Sequence, residues 1–201
     1  VDVQSGTVGA LLADRKANID QTAQALDNIA SQLIFEVNKL HSTGTNKDGL
    51  TAASGTLSFA TADRTRALND PANNATSKLP FSATSGGFSV VVKQNANGAT
   101  QTVRINVDLD GVTNAGTPGV SDDSTAESIR AAIGAIPGLS ATFDSQGKLQ
   151  ISAQSGFSFS FGDDTSGVLA QLGVNSFFTG TSASDIAVRQ EILNDPSLLQ
   201  V

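Results

Sequence analysis

Five large aliphatic residues, Leu12, Ile19, Leu26, Leu33 and Leu40, stand seven residues apart, and neither Pro nor Gly interrupts residues 10–41. Side chains at that spacing return to one face of an α-helix every two turns, so the pattern predicts a single helix over residues 7–41. Val8, Ala23, Ile29, Ala30 and Val37 fill in at three and four residues, while Asp14, Lys16, Asn18, Asp20, Gln24, Asn28 and Lys39 supply the polar sides. The rod would be roughly 50 Å long at 1.5 Å per residue. Lys39 and His41 fall in its last turn, where positive charge is favoured, and Gly44 is the stop signal. A stripe of this kind needs a cover, either another helix of the parent chain or an adjacent subunit. Arg15, Thr22 and Glu36 occupy one set of seam positions, which argues against a strict isolated dimer.

Beyond the helix the period changes. Residues 42–87 are loop-rich, with Leu57 and Phe59 in a short strand and turns at Asn69-Asp70-Pro71 and Lys78-Leu79-Pro80. Phe88, Val90 and Val92 then alternate, Asn97-Gly98 marks a hairpin turn, and Val103, Ile105, Val107 and Leu109 alternate on the way back. Ser124-Thr-Ala-Glu127 reads as a capping box opening a short helix with Ile129, Ala132, Ile133 and Ile136 inside. Strands are expected at Ala141–Phe143 and Leu149–Ala153, with a further alternating run at Phe157–Phe161. Asp164–Leu172 reads as a short helix, Phe177-Phe178-Thr179-Gly180 as a turn, and Ala187–Leu193 as helix again. The expected fold is α+β and multidomain: a long-helix stem with an inserted antiparallel β-rich unit, strand-strand-helix-strand-strand. The division falls between Pro71 and Gly87, giving a discontinuous stem of residues 1–75 plus 177–201 and an insert of residues 76–176.

Composition removes most chemistry. The 201 residues contain no Cys, Met, Trp or Tyr and a single His, and 15% are charged. Disulfides, thiolate metal sites and Cys nucleophiles are therefore excluded, and any Ser-His-Asp triad would have to use His41. No nucleophile elbow and no phosphate-binding glycine pattern is present. With a net charge of −7 and no strong basic cluster, nucleic-acid binding is not expected. No apolar run approaches the ~20 residues of a membrane span. Asp163-Asp164 is read as a helix cap, since glycoside hydrolysis would lack its usual aromatic sugar platform. Asp108-Leu-Asp110-Gly111 opens like a calcium loop, but position twelve is Gly119 where an EF-hand needs Glu. The expectation there is an acidic strand-end turn, with a looser oxygen site through Asp122 or Asp123 as the alternative. Neither catalytic residues nor a cofactor or metal is expected. The missing Met points to a processed form or an internal fragment.

Two stretches carry a resemblance. Gly6-Thr-Val-Gly-Ala-Leu-Leu-Ala-Asp-Arg15, leading to Phe35-Glu-Val-Asn-Lys-Leu-His41, is similar to the stem helix of the flagellar hook-associated protein 1 family, which joins hook to filament. Phe177-Phe-Thr-Gly-Thr-Ser-Ala-Ser-Asp-Ile-Ala-Val188, followed by Ile192-Leu-Asn-Asp-Pro196, resembles that family's return into the stem, with Gly167–Asn175 as the approach. The resemblance implies an extracellular axial component, exported through the flagellar channel without a cleaved signal peptide and assembled as a ring. Its implied partners are other copies of itself, hook protein, hook-associated protein 3, and an export chaperone for a C-terminal region absent from this sequence. It transfers no catalytic residues. On this reading Leu12, Ile19, Leu26, Leu33 and Leu40 are the packing seam. The rival expectations are a sibling axial protein (flagellin or hook-associated protein 3) and a secreted adhesin or carbohydrate-binding module on the sheet of residues 88–161.

Overall fold

Gly6–Thr43 form one uninterrupted α-helix, α1, in the computed structural model, which describes residues 6–45 and 48–199. Its 38 residues make a rod of about 57 Å. The strands that follow are β1 (Ala52–Ser58), β2 (Gly86–Gln94), β3 (Thr100–Val107), β4 (Leu139–Phe143), β5 (Lys148–Ala153), β6 (Phe157–Gly162), β7 (Phe178–Thr179) and β8 (Ala187–Val188). Three short helices intervene: α2 (Ala126–Gly134), α3 (Val168–Leu172) and α4 (Gln190–Asn194). The protein is mixed α+β, a long amino-terminal helix followed by antiparallel sheets.

Of the two three-stranded sheets, the first has the order β3-β2-β6 and the second β1-β5-β4, while β7 and β8 pair as a separate two-stranded ribbon. Alternation fixes the first. Phe88 lies opposite Ile105 and Val90 opposite Val103 on β3, while Val90 and Val92 lie opposite Phe161 and Phe159 on β6. A slip of one residue would turn all of these side chains to the other face. The ring of Phe161 meets those of Phe88 and Phe159 edge-on, with centroids 6.2 Å and 5.4 Å away. Leu149 and Ile151 of β5, Ile129 and Ile133 of α2, and Val168, Leu169 and Leu172 of α3 complete the same core.

β1 pairs with β5, and Leu50, just before β1, bridges to Phe159 of β6. Leu50, Ala53, Phe59 and Leu68 are all buried in the core of the β-rich unit. The strand pairing therefore crosses the division drawn in the sequence, since residues 50–68 belong to the stretch assigned to the stem. Two close approaches hold this arrangement: a side chain at Gly147 would strike the Phe59 carbonyl, and one at Gly173 would strike Thr56. Both glycines have positive φ, which an L side chain rarely adopts. The irregular chain between β1 and β2 is organised by buried Asn73, whose amide donates to the carbonyls of Asp63 at 3.2 Å and Ala67 at 3.1 Å.

Several local expectations shift, among them the turn expected at Phe177–Gly180, where Phe178 and Thr179 form β7. The capping box of α2 is one residue later: Thr125 Oγ1 accepts from Ser128 N, and Ser128 Oγ accepts from Thr125 N. Ser124 instead accepts from Asp108 N at 2.9 Å, and Glu127 pairs with Arg130. The segment 187–193 is not one helix, because Ala187 and Val188 form β8 against β7 and α4 begins only at Gln190.

Candidate assembly surface

α1 carries two faces with different fates. Ala30, Ser31, Ile34, Asn38, His41 and Ser42 are buried, and their spacing of three and four residues makes one inward face on the carboxyl-terminal half. The heptad residues Leu12, Ile19, Leu26, Leu33 and Leu40 lie outside it and are 48–76% exposed. Val8, Leu11 and Ile29 are exposed as well. Adjacent residues on a helix point about 100° apart, so Ile34 is 1% exposed while Leu33 is 49% exposed. The sequence pattern thus picked out the residues that stay open. The face that docks was hidden because Ser31, Asn38 and His41 break its apolar character.

The inward face is held by polar contacts to the return segment. Asn38 Oδ1 accepts from the backbone N–H of Phe177 at 2.9 Å and of Phe178 at 2.7 Å, and Asn38 Nδ2 donates to the Phe178 carbonyl at 3.0 Å. His41 Nδ1 donates to the Asn175 carbonyl at 2.8 Å, and Asn175 Nδ2 donates to the carbonyls of His41 and Ser42. The latter two carbonyls lie in the last turn of α1, where no intrahelical donor remains. Phe177 packs on the His41 ring with centroids 5.6 Å apart. Nearer the amino-terminal half of α1, Asp27 accepts from Ala183 N at 3.0 Å.

The return segment is braced from its other side. Asp185 accepts from the N–H groups of Thr181 and Ser182 at 2.8 and 2.7 Å, closing the β7–β8 hairpin, and these bonds lower its pKa. Arg189, on the strand exit, reaches the Ser54 side chain of β1 at 3.1 Å and pairs with Glu191 at 3.4 Å. The two stretches that carry the family resemblance are therefore in direct contact, 140 residues apart in the chain.

His41 is not the dipole-stabilised cation expected at a helix end. Burial lowers its pKa, outweighing the bond to Asn175, and the charge of Arg189 lowers it further. Desolvation disfavours the imidazolium, so this histidine is a neutral hydrogen-bond donor within a packed contact.

The other candidate groups do not assemble a catalytic constellation among the described residues. Asp164 spends its carboxylate on capping: Oδ1 accepts from Ser166 N and Gly167 N, and Oδ2 from Leu169 N at 3.1 Å. The helix it serves starts at Val168, later than expected, because Gly167 takes a left-handed conformation at its N-cap. Asp108, Asp110 and Asp123 do converge. No helix of the described residues is long and apolar enough to cross a membrane. In comparison with known proteins, neither a family model nor a curated protein matches this chain.

Proposed function

We propose that this chain belongs to an axial structural protein of the bacterial flagellum, one that joins hook to filament as a ring of subunits outside the cell. The observation that carries the reading is the open heptad stripe of α1, which runs along a helix whose other face is already occupied. Burying the exposed half of each large aliphatic side chain on the stripe contributes roughly 1 kcal/mol. A single such helix gains little, but the same contact repeated around a closed ring is cooperative. In the assembled ring the stripe packs against helices of the neighbouring copies. Hook protein and hook-associated protein 3 are the axial neighbours. The role is structural, with no reaction to catalyse.

The resemblance in the two stem stretches supports this class over a carbohydrate-binding module, since a glycan-binding role has no use for a bare helical rod. The test is deletion of the gene in its host. Loss of this protein leaves hooks formed but filaments unattached, with flagellin shed into the medium, and the gene supplied in trans restores filaments. Normal filaments in the deletion strain would overturn the proposal.

A further inference from the structure

Beyond any assembly role, the loop after β3 gathers carboxylates that the fold engages only in part, Asp110 Oδ1 accepting from Val112 N at 2.7 Å. Asp108 and Asp110 follow β3, and Asp123 precedes α2. Each offers one carboxylate oxygen, and the three oxygens lie within 4.8 Å of one another. The ion pairs among the described residues are Lys16–Asp20, Arg66–Asp63, Arg130–Glu127 and Arg189–Glu191, so none of the three has a basic partner. Asp108 and Asp110 are exposed, whereas Asp123 is only 3% exposed.

The same corner of the fold leaves buried acceptors without donors. Four buried side-chain polar atoms among the described residues lack a hydrogen-bond partner, and three of them are Asn69 Oδ1, Asp122 Oδ1 and Asp123 Oδ1. All three are oxygen acceptors. Asn69 touches Asp123 directly, its Nδ2 donating to Asp123 Oδ2, which also accepts from Gly111 N at 3.1 Å. The other oxygen of the same buried carboxylate is left with no donor. An ionised oxygen taken out of water without a partner is costly, and a cation relieves that cost directly.

We propose that Asp108, Asp110 and Asp123 form a calcium-binding site, with Asp123 as its buried anchor. The donors are all oxygen, with no nitrogen or sulfur ligand, which selects a hard cation. A spacing within 4.8 Å can be spanned by one Ca²⁺ holding ligands at ~2.4 Å. Three carboxylates from two separate stretches, flanking the loop at residues 111–122, suit the irregular coordination that Ca²⁺ accepts and the strict octahedron of Mg²⁺ does not. Bound Ca²⁺ ties the end of β3 to the start of α2 and so stabilises the β-rich unit.

The experiment is calorimetric titration of the chain with CaCl₂, paired with thermal unfolding in Ca²⁺ and in chelator. Binding with a Kd on the order of 10⁻⁴ M is expected, as for extracellular calcium modules. At about 100-fold excess over that Kd, Tm rises by roughly 5–10 °C. Asp123→Asn and the exposed-site variant Asp110→Asn each weaken binding at least ~10-fold. Asp110→Asn keeps the metal-free Tm, which separates lost binding from lost folding. No heat and no Tm shift in the unaltered chain would overturn the site. Retained binding in Asp110→Asn would overturn the ligand assignment, and an equal response to Mg²⁺ would overturn the preference for calcium.

Discussion

Asn38 illustrates how a polar residue can decide where a helix docks. Its side chain satisfies two backbone N–H groups and one carbonyl of the return segment, groups that no strand or helix would otherwise pair. Replacing it by Ala leaves those half-buried groups without their side-chain partner, so Asn38→Ala is expected to destabilise the chain by about 1–2 kcal/mol. Chemical denaturation monitored by circular dichroism measures this directly. His41 makes a prediction about pH. Its pKa lies below the ordinary 6.5 in the folded chain, so the unfolded chain binds the proton more readily. The stabilisation it contributes is complete above the unfolded value and is lost as pH falls through the folded one. Between about pH 7.5 and 5.5 the Tm should therefore drop, and His41→Gln should flatten that drop. The lowered carboxylates Asp144, Asp185, Glu191 and Asp195 act in the same direction but only in the acid range near their own pKa values, so the two effects separate in a pH series. Neither residue's role was legible in sequence. Asn38 looks like one more polar position on a helix, and the burial that neutralises His41 comes from a segment more than 130 residues away.

At the scale of elements, α1 and the β2–β3 hairpin were readable because each is specified locally. An uninterrupted periodic run sets the helix, and alternation on both sides of Asn97-Gly98 sets the pairing of Phe88 with Ile105. The split into two sheets was not readable, because β1, with Ala52, Ala53, Ser54 and Gly55, carries almost no apolar alternation and gains its place from β5. The same limit explains Ala187 and Val188, which look helical beside Ile192 and Leu193 but are held extended by Phe178 and Thr179. The register of α1 can be measured, because Ile34 is buried and Leu33 is half exposed. Ile34→Ala removes a fully buried side chain and should cost about 2–4 kcal/mol. Leu33→Ala, one residue away and half exposed, should change stability by no more than about 0.5 kcal/mol. Equal costs would mean that the inward face has been placed wrongly.

As a whole, the molecule combines a well-buried β-rich body with a helix whose amino-terminal half meets little of it. Every residue from Ala10 to Leu26 is exposed, so that stretch gains no tertiary packing from the described fold. A helix left this way in water depends on its own hydrogen bonds and on local pairs such as Lys16–Asp20, which contribute only tenths of a kcal/mol. A cover for the stripe is the simplest account of why so many aliphatic residues were placed there. Charging the stripe separates folding from assembly. The double substitution Leu26→Glu and Leu33→Glu should leave the Tm of this chain within a few degrees, because neither side chain is buried in it. In the proposed assembly the same pair should abolish filament attachment in the host, since a buried unpaired carboxylate is strongly disfavoured.

The absence of cysteine makes the most direct measurement clean, because Leu26→Cys introduces a unique thiol on the stripe. Maleimide labelling of that variant should be fast on the isolated chain and strongly slowed in intact hook–filament structures, where the proposed packing has neighbouring helices cover residue 26. Equal labelling rates in the isolated chain and in the assembled structure would show that the stripe stays open, and would contradict the account.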